Sequence, residues 1–357
     1  MTQRFLMLVS QRADARLRAE VAAGRRPEPE YLRLESELGV ELLDWSRLGR
    51  SSARTPAVSV RHALAALGRA PRCDVIFSDG EHVGIPLALG LRSAHLKTTH
   101  VVLGHRLTAP SKRSFFTRLH ADRGMTRILL HSRRQMELAT LELGIDGSKL
   151  ALVPYYADTA FWRPLNVPEE RLIVAAGREH RDYSTLARAC DIPDVNTFVA
   201  AGSLHSPGSH STGPVEWPSG CEVRFAGYTE LRDLYARAAV VVVPLLETDF
   251  QAGVTSLLEA MAMGKAVIVS AANGHAEIVQ DGETGVLVPP GDAPRLRAEI
   301  ERLLADGPER VRLGRAAREL VERSYSLEGY VERLHQELVL AASSRRGTAL
   351  STEVLGG

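Results

Sequence analysis

Asp249-Phe250-Gln251-Ala252-Gly253-Val254-Thr255-Ser256-Leu257-Leu258-Glu259-Ala260-Met261-Ala262-Met263-Gly264 is the stretch on which the fold of this 357-residue chain turns. It lies between two short apolar runs, 240–243 and 266–269, which read as strands buried on both faces. Gly253 lets backbone come close to a ligand and opens a helix expected over about 254 to 263. The first N–H groups of such a helix lack partners within it, and its dipole turns a positive end outward, so its start suits an anion. Thr255 and Ser256 add hydroxyl donors there. Glu259 follows one turn later, where a carboxylate accepts two hydrogen bonds from a vicinal diol such as the ribose beside a diphosphate. The same pattern also fits a plain strand–loop–helix unit with Glu259 in solvent.

Working outward, similar aliphatic runs recur at 5–9, 75–78, 100–103, 127–130 and 150–153, then at 172–175, 197–201, 223–226 and 286–288. Segments of helical period separate them, for example 83–91, 134–143, 231–238 and 294–304. This alternation predicts an α/β protein with parallel sheets. Arg163-Pro164-Leu165-Asn166-Val167-Pro168 interrupts it with two prolines. The expected organisation is therefore two doubly wound Rossmann-like domains, 1–164 and 165–325, facing each other across a cleft. A helix over 326–342 would cross back to the first domain, and a small, polar tail, 343–357, would fray. Two stretches escape the pattern: the Arg- and Ala-rich 12–30, and 204–220, whose prolines and glycines predict a long loop.

Composition narrows the class. An apolar share of 45% supplies a full core for each half, and a net charge of +1 gives no reason to expect nucleic acid as a partner. Lysine occurs only at Lys97, Lys112, Lys149 and Lys265, so the basic charge is almost entirely arginine. Cys73, Cys190 and Cys221 are far apart and odd in number, which argues against a disulfide framework or a zinc site and fits reduced thiols. The apolar start meets Gln11, Arg12 and Asp14 too soon for a signal peptide, and no run is long enough to span a bilayer. The expected location is the cytoplasm. Ser111-Lys112-Arg113-Ser114-Phe115-Phe116-Thr117-Arg118 sets bases beside two phenylalanines; membrane contact is one use, and packing of the rings into the first domain is the default.

The 249–264 segment, with Asn273-Gly274-His275-Ala276-Glu277-Ile278-Val279 and Asp281-Gly282-Glu283-Thr284-Gly285-Val286-Leu287-Val288-Pro289-Pro290-Gly291-Asp292, resembles the C-terminal domain of GT-B glycosyltransferases of family 4 (group 1). The resemblance runs from about 73 to 335 and is most specific over 249–292. It extends to Leu150-Ala151-Leu152-Val153-Pro154, Asp158, Phe161, Arg163 and Pro164, and to Ala176-Gly177-Arg178 through Arg181-Asp182-Tyr183 and Leu186. It implies a GT-B fold in which Glu259 holds the nucleotide ribose and Gln251 faces the transferred sugar, with Ala252, Gly253, Val254 and Thr255 at the phosphates. Gln251 departs from the family glutamate: an amide keeps an acceptor, gains a donor and loses the charge.

The resemblance also implies cations at the leaving diphosphate, where negative charge develops as the glycosidic bond breaks. Arg178 fits the family arginine. Ser184 occupies the position of the family lysine, so Arg181 is the substitute. His105, after the run 100–104, is similar to the histidine that the family sets beside the donor sugar. Tyr228 is a candidate for the nucleobase. Asp79 and Glu81 follow the run 75–78 at the ligand end of a strand, where acceptor contact and, for Asp79, helix capping are both open. Ser10-Gln11-Arg12-Ala13-Asp14 replaces the family's Gly-Gly pair; Arg12, four residues before Arg16, is an acceptor candidate if a helix presents both on one face.

The expectation is a metal-independent, retaining transferase that moves a sugar from a nucleoside diphosphate donor, UDP-sugars favoured, to a small-molecule or glycan acceptor. It needs no cofactor beyond the nucleotide sugar and has no Asp-x-Asp metal clamp at a donor-site position. A non-catalytic nucleotide-sugar-binding protein, and an epimerase or phosphorylase on the same fold, remain open.

Overall fold

The structure is a computed structural model that describes residues 3–48, 55–201, 215–248, 250–272 and 277–354, with side chains as far as residue 343. Its frame follows from the aliphatic runs. β1 (Phe5–Val9), β2 (Glu41–Asp44), β3 (Val75–Ser78), β4 (Thr99–Gly104), β5 (Arg127–Leu130) and β6 (Leu150–Leu152) form one parallel sheet in the order β2-β1-β3-β4-β5-β6. β7 (Leu172–Ala176), β8 (Asn196–Ala200), β9 (Cys221–Arg224), β10 (Val240–Val243), β11 (Val267–Ser270) and β12 (Val286–Val288) form a second, in the order β12-β11-β10-β7-β8-β9. The central strands are buried along their whole length, as continuous apolar runs require when helices cover both faces. Each fully buried Leu, Ile or Val contributes on the order of 1.5–3 kcal/mol, which is why these runs set the register.

Several helices start and stop where side-chain chemistry predicts. α3 (Pro56–Leu67) begins at Thr55, whose hydroxyl accepts from the Val58 N–H. α6 (Arg133–Leu143) is capped by Ser132 and ends at Gly144 in the left-handed conformation. α10 (Ala293–Ala305) and α11 (Gly307–Ser324) are capped by Asp292 and Asp306. α9 (Val254–Ala262) differs: Gly253 precedes it with φ +79°, and no side chain caps its first turn.

The chain divides into two compact units. One is drawn from Met1–Ala23, Glu28–Pro154 and Tyr330–Gly357, the other from Gly24–Pro27 and Tyr155–Gly329. The division falls between Pro154 and Tyr155, earlier than the two-proline stretch at 163–168 where the sequence pattern breaks. From Tyr330 onward the last helix, α12 (Leu327–Val354), belongs to the first unit, where Glu337 pairs with Arg127 at 2.7 Å and His335 meets Phe5 edge to face. α12 continues to Val354, past the expected fraying point at Ser343, because Ala, Arg and Leu carry it on with no proline to stop it. Of the expected 204–220 loop, residues up to 214 lie outside the described residues, as do Asp249 and 273–276.

Phe116 of α5 (Pro110–Thr117) sits in the core with Met125 and Ile128, and Phe115 packs beside it. That favours the packing alternative for this segment. No helix among the described residues is long and apolar enough to cross a membrane.

Candidate functional site

In the second unit, β7 and β10 are neighbours, yet the chain leaves β7 toward β8 and β10 toward β11. Loops that diverge in this way leave a crevice at the carboxyl ends of the strands, the usual ligand position in a doubly wound sheet. The two loops are joined at their base. The Asp182 N–H donates to Pro244 O at 3.1 Å and the Leu246 N–H to His180 O at 3.1 Å, with Arg181 and Leu245 paired between them.

Arg181 lies beneath this junction and is 3% exposed. Its Nε donates to Ala176 O at 2.9 Å, its Nη1 to Glu179 O at 2.9 Å and its Nη2 to Ser256 Oγ at 3.1 Å. The glycines explain how it fits. A Cβ on Gly177, whose φ is +109°, would collide with the guanidinium, and one on Gly253 would lie 2.8 Å from Leu245 and 3.0 Å from Arg181 Nη1. Burial weakens the hold of Arg181 on its proton, while Tyr183, Tyr235, Glu179 and Glu259 oppose the effect; a guanidinium stays charged in any case. The sequence pattern predicts that Arg181 reaches a diphosphate directly. The structure places its charge under the loop instead, with all three nitrogens engaged within the protein. It acts as a brace that adds positive potential beneath the start of α9.

Above this brace, Thr255 is exposed in the first turn of α9 and Ser256 is buried. Gln251, Ala252 and Val254 have buried side chains, so their position offers a ligand backbone more than side chain. Arg178 is half-buried between Gly177 and His180, whose ring meets Phe250 edge to face at 5.0 Å. Glu259 sits one turn into α9, and burial of its carboxyl pushes the pKa up to about 8 against the pull of Arg181. Tyr228 opens α8 (Tyr228–Arg237) with its ring edge-on to Phe161 and Trp162. Arg26, which belongs to this unit, lies 5.2 Å from the centre of the Tyr228 ring.

In the first unit, the corresponding switch point lies between β1 and β3. A row of polar side chains follows the strand ends there: Ser10, Asp79, His105 and His131. Asp79 does not cap α4 (Glu81–Ser93). Its carboxylate accepts from the Ser10 N–H and, at 2.6 Å, from the Ser10 hydroxyl, tying β1 to β3. His105 Nε2 donates to Asp79 O at 2.9 Å, which fixes that tautomer. The His105 ring lies 5.3 Å from that of His131. His131 donates from Nδ1 to Val153 O at 2.9 Å, and burial, with His105 nearby, pushes its pKa down to about 3.

Glu81 is 2% exposed, so the acceptor contact expected of it does not fit its place. Its carboxylate accepts from the backbone N–H groups of His105 at 2.9 Å and Arg106 at 3.2 Å, and pairs with the Lys112 ammonium. Burial alone would raise its pKa, but Lys112 and His105 outweigh it and hold the carboxyl well below the usual range. Gln135 completes the cradle through a hydrogen bond to His105 O. Arg12 is exposed on the loop before α1 (Ala15–Ala22), so it shares no helix face with Arg16, which pairs with Glu20. Asp44 fixes that loop by accepting from the Ala13 N–H at 2.7 Å.

Ser10, Lys112, His131 and Gln135 joined these sites without being singled out in the sequence for them. Ser10 and His131 each stand directly after an apolar run, which was the available signal. Lys112 and Gln135 reach the His105 loop from α5 and α6, and nothing in the sequence marks such a contact.

Residues 176–306 match the family model for Glycosyl transferases group 1. This part of the chain is similar to group 1 glycosyltransferase domains. The match runs from the last residue of β7 through α10 and includes Arg181, Gly253 and Glu259. The lipopolysaccharide core biosynthesis glycosyltransferase LpsE of Rhizobium meliloti is 27% identical over 164 residues, 45% of this chain and 47% of that protein. The chain spans about half or less of the length of such curated relatives. The sucrose-phosphate synthase of Thermosynechococcus elongatus superposes with a TM-score of 0.71 at 17% identity, over 96% of this chain and 100% of that one. Anabaena HepE, solved with UDP and glucose, superposes with a TM-score of 0.67 at 14% identity, over 94% and 99%. These likenesses cover both sheets and give the α/β, two-domain GT-B fold.

Proposed function

We propose that this chain transfers a glycosyl group from a nucleoside diphosphate sugar, UDP-sugars favoured, to a hydroxyl of a small-molecule or glycan acceptor. The observation that carries the reading is the start of α9. An uncapped helix N-terminus behind a left-handed glycine, with a buried guanidinium beneath it, is a site for a diphosphate. Glu259, one turn along, is the partner for a ribose diol. Arg178 and Thr255 add contacts to the phosphates, and the backbone at Gln251 is the candidate for the sugar.

In the transfer, the bond from the anomeric carbon to the diphosphate oxygen breaks and the acceptor oxygen bonds to that carbon. The acceptor proton leaves with the diphosphate. Positive charge from Arg181 and the α9 dipole stabilises the oxygen that gains charge. His105 is the catalytic candidate of the first unit, where Asp79 and the exposed Arg12 are candidates for the acceptor. Retention of configuration, independence of metal and a cytoplasmic location belong to the same proposal.

The test is nucleoside diphosphate release from a donor panel (UDP-glucose, UDP-GlcNAc, UDP-glucuronate and GDP-mannose) with cell-extract acceptors, in buffer with and without EDTA. The proposal expects release with at least one donor, undiminished by EDTA and lost in Glu259→Ala. Release from none of them, together with no nucleotide binding, overturns it.

A further inference from the structure

The second unit carries a pair of thiols that the site does not use. Cys190 follows the last residue of α7 (Tyr183–Ala189), and Cys221 opens β9. They are 31 positions apart in sequence, yet their Sγ atoms are 3.4 Å apart. Cys190 is buried at 2% exposure, whereas Cys221 is half-buried on the strand at the edge of the sheet. Thr197, the neighbour of Cys221 across the β8–β9 ladder, is buried beside them.

We infer that Cys190 and Cys221 are a modification site that closes to a reversible disulfide by exchange with a small-molecule disulfide of the glutathione type. Two independent features support it. The sulfurs are already in contact, so closure to an S–S bond of about 2.05 Å requires only a small approach. The movement falls on an edge strand whose last three residues are exposed, the part of a sheet least held by neighbours. The thiols also differ in character. The hydrogen bond between them lowers the pKa of Cys221 and raises that of Cys190. The more accessible sulfur is thus the better thiolate, and the buried one is set to resolve it.

The exchange balances. The Cys221 thiolate attacks one sulfur of the oxidant, forming a mixed disulfide and releasing one small-molecule thiolate. Cys190 then loses its proton to solvent and attacks Cys221 Sγ, releasing the second thiolate. Two protein thiols are oxidised and one external disulfide is reduced to two thiols. The bond would tie the end of α7 to the start of β9, the ends of both elements remote from the Asp182 and Tyr228 loops. Cys73 lies in the first unit and serves as an internal control.

The experiment uses the reduced, full-length protein, exposed to oxidised glutathione, quenched with iodoacetamide and analysed by intact mass and peptide mapping. The expected product has lost two hydrogens, links Cys190 to Cys221 and is alkylated at Cys73; dithiothreitol reverses it. Its melting temperature should rise by roughly 5–10 °C, since the link constrains the unfolded chain. Cys190→Ser should instead hold glutathione at Cys221 and show no such rise. A stable glutathione adduct on Cys221 of the wild type, a link through Cys73, or three alkylated thiols after exposure would each overturn the inference.

Discussion

Arg181 Nη2 donates to Ser256 Oγ at 3.1 Å, and this contact joins the loop after β7 to the first turn of α9. The same guanidinium serves Ala176 O and Glu179 O. Arg181→Ala would leave these buried acceptors without donors, at about 1–3 kcal/mol each, so a loss of at least about 3 kcal/mol is expected in urea unfolding. Ser256→Ala removes one bond and should cost about 1 kcal/mol. Equal effects of the two substitutions would contradict the brace described for Arg181.

Lys112 and Glu81 hold the loop that carries His105. Lys112→Ala leaves the Glu81 carboxylate buried without its cation and should destabilise the protein by about 3–5 kcal/mol. Adding Glu81→Gln removes the orphaned charge while keeping an acceptor for the His105 and Arg106 N–H groups. The double variant should therefore be more stable than Lys112→Ala alone, and a double-mutant cycle with no coupling would refute the pairing.

Burial pushes His100 down to about 4 and His131 to about 3, from an ordinary 6.5. Below 6.5 the unfolded chain binds protons that the folded chain does not. Stability is thus complete above that pH and is lost as pH falls toward 4 and then 3. The slope should approach about 1.4 kcal/mol per pH unit for each histidine. Urea unfolding at a series of pH values checks this, and His131→Asn should flatten the slope.

Glu259 behaves in the opposite sense. Its folded pKa is raised from 4.5 to about 8, so between those values the folded state holds the proton more tightly than the unfolded one. Stability is greatest below 4.5 and declines as pH rises toward 8. Relative to wild type, Glu259→Gln should gain at least about 1.4 kcal/mol between the two ends of that window, the equivalent of a tenfold difference in proton affinity. A pH-independent difference would place the carboxyl in solvent.

The sequence disclosed the strands best where burial is complete, because continuous aliphatic runs have no other explanation. It missed β2, whose Glu41-Leu42-Leu43-Asp44 offers only two apolar residues between charges. It set β9 two residues late, since the exposed edge strand begins at Cys221 with a polar Glu222 next. The α9 start was legible because glycine, helix period and carboxylate follow one another locally. The place of Glu81 was not, because the strand-end position that suggested solvent is closed by Lys112 and the His105 loop, which are distant in sequence. Arg181 was found for its charge, but its depth depends on Gly177 and Gly253 together.

The central claim is that the α9 start and Glu259 hold a nucleoside diphosphate. Calorimetric titration of wild type and Glu259→Ala with UDP and GDP tests it most directly, at about pH 8.5 where the carboxylate form is populated. Loss of two hydrogen bonds to a charged group is worth about 2 kcal/mol or more, so Kd should rise roughly 30-fold in Glu259→Ala. Equal affinity in the two proteins, or no binding of either nucleotide by the wild type, would contradict the account.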